Sequence, residues 1–231
     1  MKMKIIYSSL FFIFWIQFCS AQKLSEITIS NNGALSSYSF SADQGLIIHL
    51  TADGNIQEWG TALEPGRMGY SPGKLQAFMG KPEYYPATTD VSIKGKIKSL
   101  GTCEIMYFNS FENEWLKGKV KSIGNLALEY YMQFDNEALK GKLKRAGILN
   151  LQYYSNFDNQ SLIGKLKSVD NTVLSYYTSF DDKVIQGKLK RIGNLNYTWY
   201  NSFERKEYQG LLKSGLNNQF INGINFILKN Y

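Results

Sequence analysis

Histidine, cysteine and proline are almost missing from this chain: one, two and four among 231 residues. A zinc or haem site needs several His or Cys ligands, so no metal and no cofactor is expected. Of the cysteines, Cys19 lies in an N-terminal leader, so Cys103 stands alone and an internal disulfide is excluded. Cys103 reads as a small buried hydrophobe, with an intermolecular disulfide as the alternative. Charged residues are sparse at 19%. No window carries a helical stripe of any length. Catalytic signatures are missing too: there is no Gly-x-Ser-x-Gly, no phosphate-cradling loop and no His-Glu-x-x-His. The single His49 sits in the apolar strand Leu46-Ile-Ile-His-Leu50 and reads as structural. Carboxylate pairs occur at Glu112 with Glu114 and at Asp181-Asp182, but on a recurring turn that Asp135, Asp158 and Glu204 share. Turn chemistry explains them better than glycoside hydrolysis. The chain is therefore expected not to be an enzyme, with an exported hydrolase as the minor alternative.

What the chain has in excess is aromatics, at 15%, a composition that favours strands. It also opens like an export signal. Lys2 and Lys4 precede the apolar run Ile5–Phe18, and Cys19-Ser20-Ala21 supplies small residues for cleavage before Gln22. Residues 1–21 are read as a signal peptide, too short in the apolar run for a membrane span. The alternatives are an uncleaved anchor and a lipoprotein. Gln17-Phe18 before Cys19 argues against lipidation. No later run reaches spanning length, so the mature chain is expected to be exported, periplasmic or extracellular.

From Lys94 onward the sequence repeats every 23 residues. KGKVKSIGNLALEYYMQFDNEAL from Lys117 is followed by KGKLKRAGILNLQYYSNFDNQSL from Lys140. Six units fill residues 94–231 without insertions, the sixth degenerate. Gly118, Gly141 and Gly164 mark the register, as do Phe134, Phe157 and Phe180. Such a period means a repeat array in which each unit buries its apolar face against neighbours. Each unit alternates twice with period two, at Lys117–Lys121 and Leu126–Tyr130, and the two stretches meet at Gly124-Asn125, a hairpin signal.

The fold expected is therefore all-β, a repetitive antiparallel β-meander of hairpin units. A parallel β-solenoid is the alternative. It would stack Lys119, Lys142, Lys165 and Lys188 about 4.8 Å apart, costing on the order of 0.9 kcal/mol per neighbour pair even in bulk water. A meander spaces them about 9.5 Å apart, beyond a Debye length of about 8 Å. In the meander, Phe134, Phe157 and Phe180 are expected to be buried in equivalent places.

The unit opening, as in Leu116-Lys-Gly118-Lys-Val120 and Tyr208-Gln-Gly210-Leu-Leu212, resembles that of the MORN repeat, Tyr-x-Gly-x-Trp/Phe, over residues 94–231. The Gly-x-Gly in the second strand of that repeat is absent here, replaced by Leu-x-Leu-x-Tyr-Tyr, as at Leu128–Tyr131. The resemblance is one of period and architecture. It implies an elongated, twisted sheet used for binding or assembly, seldom for catalysis.

Residues 22–93 differ. They hold four basic and seven acidic residues, net −3, against 20 and 12, net +8, in residues 94–231. They read as an N-terminal β cap, with a hairpin about Asp53-Gly54 and a degenerate repeat from Gly73-Lys-Leu75 to Tyr84-Tyr85.

The candidate binding site is a lysine column, Lys96, Lys119, Lys142, Lys165 and Lys188, beside an aromatic column, Phe108, Tyr131, Tyr154, Tyr177 and Tyr200. With the turn centred on Asn125, Lys119 faces Tyr131 and Val120 faces Tyr130. Ile123 and its equivalents then land, unexpectedly, on the polar face. The site suits an acidic glycan or other anionic polymer. The plainer reading of the lysines, and the one the residues favour, is solubility and edge protection of a long sheet. An assembly module, packing on itself or on an envelope protein, is the other functional reading.

Overall fold

The computed structural model describes residues 22–63, 66, 74–132 and 134–229. The leader 1–21 lies outside the described residues, as does Gly73 of the degenerate repeat. The chain is all-β, in two large sheets and a two-stranded one.

The larger sheet has eleven strands in sequence order. It starts at Pro82–Tyr84 and continues through the hairpins Ile97–Leu100/Cys103–Tyr107, Val120–Ile123/Leu126–Tyr130 and Leu143–Ala146/Leu149–Tyr153. Leu166–Val169/Thr172–Tyr176 and Leu189–Ile192/Leu195–Asn196 complete it. Every neighbour pair is antiparallel, one hairpin per 23-residue unit. This is the expected meander. The hairpin turn needs a left-handed residue, which Gly124 supplies at φ 53°; in the fourth unit Asp170 holds the same place at φ 44°.

The register differs from the expected one. Ile123 pairs with Leu126 inside the hairpin, and Ile105 with Ile123 between units. Next along, Met106 opposes Ser122 and Tyr107 opposes Val120, so Lys121 is an extra, unpaired residue. It is a β-bulge, and it recurs at Lys144, Lys167, Lys190 and Lys213. The bulge flips the strand's facing, which turns Val120 and Ile123 both inward, fully buried. That resolves the misfit of Ile123.

The second sheet lies across the inner face of the first. Its order is Asn218–Ile221, Ile224–Lys229, Lys23–Ser30, Leu35–Ser41, Leu46–Thr51, Ile56–Ala62 and Leu75–Gln76. Its one parallel pair joins Lys23–Ser30 to Ile224–Lys229, bringing the two ends of the described chain together. Leu24, Ile27, Ile29, Tyr38, Phe40, Ile48 and Leu50 project onto Ile105, Val120, Leu128, Leu143, Leu151, Leu166 and Leu174 of the array, and these side chains form one continuous core. Tyr38 and Tyr153 join hydroxyls across that core at 2.5 Å.

The stretch before the array has two roles. Tyr84-Tyr85 continues the repeat: the Tyr85 hydroxyl donates to Ile105 O, twenty residues on, as Tyr131 does to Leu151 O. Residues 23–62 cover the array's face. At the other end Leu212–Ser214 pairs with Thr198–Trp199 before the chain crosses into the second sheet, where Phe226 is buried.

Candidate functional site

The structure splits the expected Lys/Tyr site into two columns with different surroundings. Lys119 lies over the ring of Tyr130 at 5.7 Å, not beside Tyr131. Lys142, Lys165 and Lys188 likewise lie over Tyr153, Tyr176 and Trp199, and Lys96 over Tyr107. The hairpin register is the reason: Ile123 pairs with Leu126 and Ser122 with Ala127, so the turn is centred between Gly124 and Asn125 and Lys119 falls opposite Tyr130 instead of Tyr131. These ammonium groups also reach hairpin tips of the second sheet. Lys119 donates to Asp53 O, Lys165 to Asn32 O at 2.6 Å and Lys188 to Asn31 Oδ1 at 2.6 Å, while Lys96 donates to Gly118 O. Of this inner column, Lys119, Lys165 and Lys188 thus clamp the two sheets at their rim, while Lys96 bonds within the array.

Burial lowers the pKa of every lysine in the inner column. For Lys165, desolvation and then the charge of Lys188 push it from 10.5 to about 8. Between those values the unfolded chain binds more protons than the folded one, so stability rises with pH. Above about 10 the sign reverses, because the buried phenols of Tyr38, Tyr130 and Tyr176 have raised pKa values and ionise first in the unfolded chain. The urea midpoint is expected to climb from pH 8 to about pH 9.5 and to fall beyond it, and Lys165→Met should flatten part of the climb. A wild-type midpoint that does not move between those pH values would contradict this account of the inner column.

The aromatic half of the expected site takes its lysines from the bulges. Lys121 lies over Phe108, Lys144 over Tyr131, Lys167 over Tyr154, Lys190 over Tyr177 and Lys213 over Tyr200, each at 5.2 or 5.3 Å. The rings are half-buried. Tyr131 packs edge-on against Tyr153 at 5.9 Å, and the Tyr154 hydroxyl donates to Leu174 O. The lysines, by contrast, are on the outer surface. Lys121, Lys144 and Lys190 are exposed, as are Lys98, Arg145 and Arg191 on the same strands; among the exposed acids there are Glu104 and Glu129. Lys121, Lys167 and Lys213 meet Glu112, Asp158 and Glu204, and Arg145 meets Glu129. The outer face stays cationic. A strand's plain alternation could not reveal this second pairing; the misfit of Ile123 was the one signal that the register slips.

A third column overturns an expectation. Phe134, Phe157 and Phe180, expected in the core, are 99%, 94% and 93% exposed, and Phe111 and Phe203 are 92% and 93% exposed. They stand on the loops that link one hairpin to the next, where no facing layer covers them. Those loops are braced. Asn136 Oδ1 accepts from Ala138 N in its own loop and from Asn156 N in the next. Asn159 does the same for Ser161 N and Ser179 N, and Asp182 for Val184 N and Ser202 N. Asp158 folds back to accept from Ser155 N and Ser155 Oγ, which lowers its pKa. Asp135, Asp158, Asp181 and Asp182 are thus loop braces, in line with the turn chemistry expected of them, whereas Glu112, Glu114 and Glu204 pair with lysines.

His49 is buried in the second sheet with Nδ1 2.9 Å from Glu58 Oε1, and Cys103 is buried, its thiol pushed up to about 11 by desolvation. No group of His, Cys, Asp and Glu among the described residues is arranged to hold a metal. No helix among them is long and apolar enough to cross a membrane. No family model, curated protein or solved structure matches the chain.

Proposed function

We propose that this protein is an exported, non-enzymatic binding module that takes an acidic glycan along its outer lysine column. The observation that carries the reading is the bulge. Five times over, it lifts a lysine out of the strand ladder and sets its ammonium over a ring at nearly one distance. Packing does not require a charge there, since the bulged side chain points away from the core. Ammonium groups meet the acid groups of a glycan, and the ring edges beside them meet its sugar faces. Cation–π contacts of about 0.5–1 kcal/mol hold each lysine in place, and a polyanion would compete with Glu112, Asp158 and Glu204 for Lys121, Lys167 and Lys213.

The site recurs about every 9.6 Å along the sheet, two strand spacings. One contact is weak, so affinity comes from a polymer long enough to engage several units. The period and unit opening fit the MORN-like reading, in which such sheets serve binding or assembly. Export rests on the leader pattern alone.

The test is the quadruple variant Lys121→Gln, Lys144→Gln, Lys167→Gln, Lys190→Gln. Wild type is expected to bind an acidic polysaccharide at low salt and to weaken steeply towards physiological salt. The variant should lose at least roughly tenfold, and it should stay folded by circular dichroism although the four lost cation–π contacts together lower its stability by about 2–4 kcal/mol. No binding by wild type, or equal binding by the variant, overturns the proposal. Tighter binding to single-stranded nucleic acid than to the polysaccharide would overturn its choice of ligand.

A further inference from the structure

The five exposed phenylalanines take no part in the polymer site. They belong to the loop edge of the array rather than its outer face, and their exposure means that they add almost nothing to folding. From the geometry we infer that this ladder is the interface with a second copy of the chain, joined about a two-fold axis near Phe157.

Three observations carry it. The first is area. A phenylalanine offers on the order of 200 Å², so five rings that are 92–99% exposed present roughly 1,000 Å² per chain. A stable interface needs about 800 Å² per partner. The second is spacing. The rungs are about 9.6 Å apart, so a ring from the other copy seated in each gap has neighbours at about 5 Å, inside the 4.5–7 Å range of aromatic pairs. An unrelated protein would need the same repeat; a second copy has it by construction, and antiparallel ladders close a two-fold dimer without leaving a free edge to polymerise. The third is charge together with rigidity. The charges beside the rings are met within the chain, Glu112 by Lys121, Asp158 by Lys167, Glu204 by Lys213, Lys117 by Glu114 and Lys140 by Glu137, so two such edges approach without an uncompensated charge of one sign. The inter-loop braces at Asn136, Asn159 and Asp182 hold the rungs before binding, so little ordering cost remains.

The experiment is sedimentation equilibrium on residues 22–231, wild type against Phe134→Ser/Phe157→Ser/Phe180→Ser. Wild type is expected to be a dimer at micromolar concentration. The triple variant should be a monomer with association weakened roughly a thousandfold or more, and its thermal midpoint, extrapolated to low protein concentration, should match wild type. A single Asn156→Cys should form a disulfide with its own symmetry mate, since position 156 lies next to the proposed axis. A monomeric wild type at about 100 μM, or a triple variant that still dimerises, overturns the inference. So does a monomeric wild type that binds phosphatidylcholine or phosphatidylglycerol vesicles through these rings. None of these results depends on polysaccharide binding, so this inference and the polymer site stand or fall separately.

Discussion

Tyr153→Ala is expected to cost roughly 3–5 kcal/mol, a large part of the stability of a chain this size. Tyr153 is buried at the centre of the core between the sheets. Its hydroxyl donates to Leu143 O at 2.8 Å, bracing its own hairpin, and shares a hydrogen bond with Tyr38 of the second sheet. Alanine leaves a cavity and strands both partners. Tyr153→Phe separates the two effects: it keeps the ring and loses only the hydroxyl, for about 1–3 kcal/mol. Urea denaturation of both variants checks this. If Tyr153→Ala costs under about 1 kcal/mol, the sheets do not share a core there.

The second large effect is at Gly33, in the hairpin tip that meets the fifth repeat unit. Its φ of 77° is left-handed, and a Cβ there would stand 2.1 Å from Gly187 O and 3.0 Å from the Tyr176 ring. Backbone of one sheet touches backbone of the other, so no side chain can rotate away. Gly33→Ala should cost about 2–4 kcal/mol, combining the left-handed penalty with overpacking. It should also release Lys165 and Lys188 from the carbonyl of Asn32 and the side chain of Asn31 in that tip. Gly45→Ala is the control. It has φ 71° but nothing within 4 Å of the added Cβ, so only the conformational penalty of about 1 kcal/mol applies. Equal losses in the two variants, by thermal or urea unfolding, would mean that the sheets are not in contact at this tip.

Much of the fold was legible in the sequence because two periods coincide. Alternation within Leu126–Tyr130 marks a strand with one buried face, and the 23-residue repeat says that each strand's neighbour is its own copy. Together these leave little besides a meander or a solenoid, and like charges stacked along the solenoid favour the meander. What remained hidden depends on contacts distant in sequence. Nothing local says that Leu24, Ile27 and Tyr38 cover the array's face, although the apolar alternation of 23–62 shows that a second sheet needs something to cover. The bulge was half-visible: Ile123 pointing to the wrong face requires a slip in register, and one extra residue at Lys121 supplies it. The phenylalanines misled because a repeated aromatic usually recurs for packing. Their setting, between polar residues and an acid in Ser-Asn-Phe157-Asp-Asn, is that of a loop crest, and there only a partner could bury the ring.

Lysines of the inner column join the two sheets, and the outer column is the one proposed to meet the ligand. Residue-resolved acetylation of lysines, followed by mass spectrometry with and without a saturating acidic polysaccharide, reads both at once. In the free protein Lys121, Lys144 and Lys190 should react rapidly, while Lys119, Lys165 and Lys188 react slowly because their ammonium groups are held by carbonyl and amide oxygens of the second sheet. Polysaccharide should protect the outer column and leave the inner one unchanged. Protection of Lys119, Lys165 and Lys188 with Lys121, Lys144 and Lys190 still reactive would contradict the account.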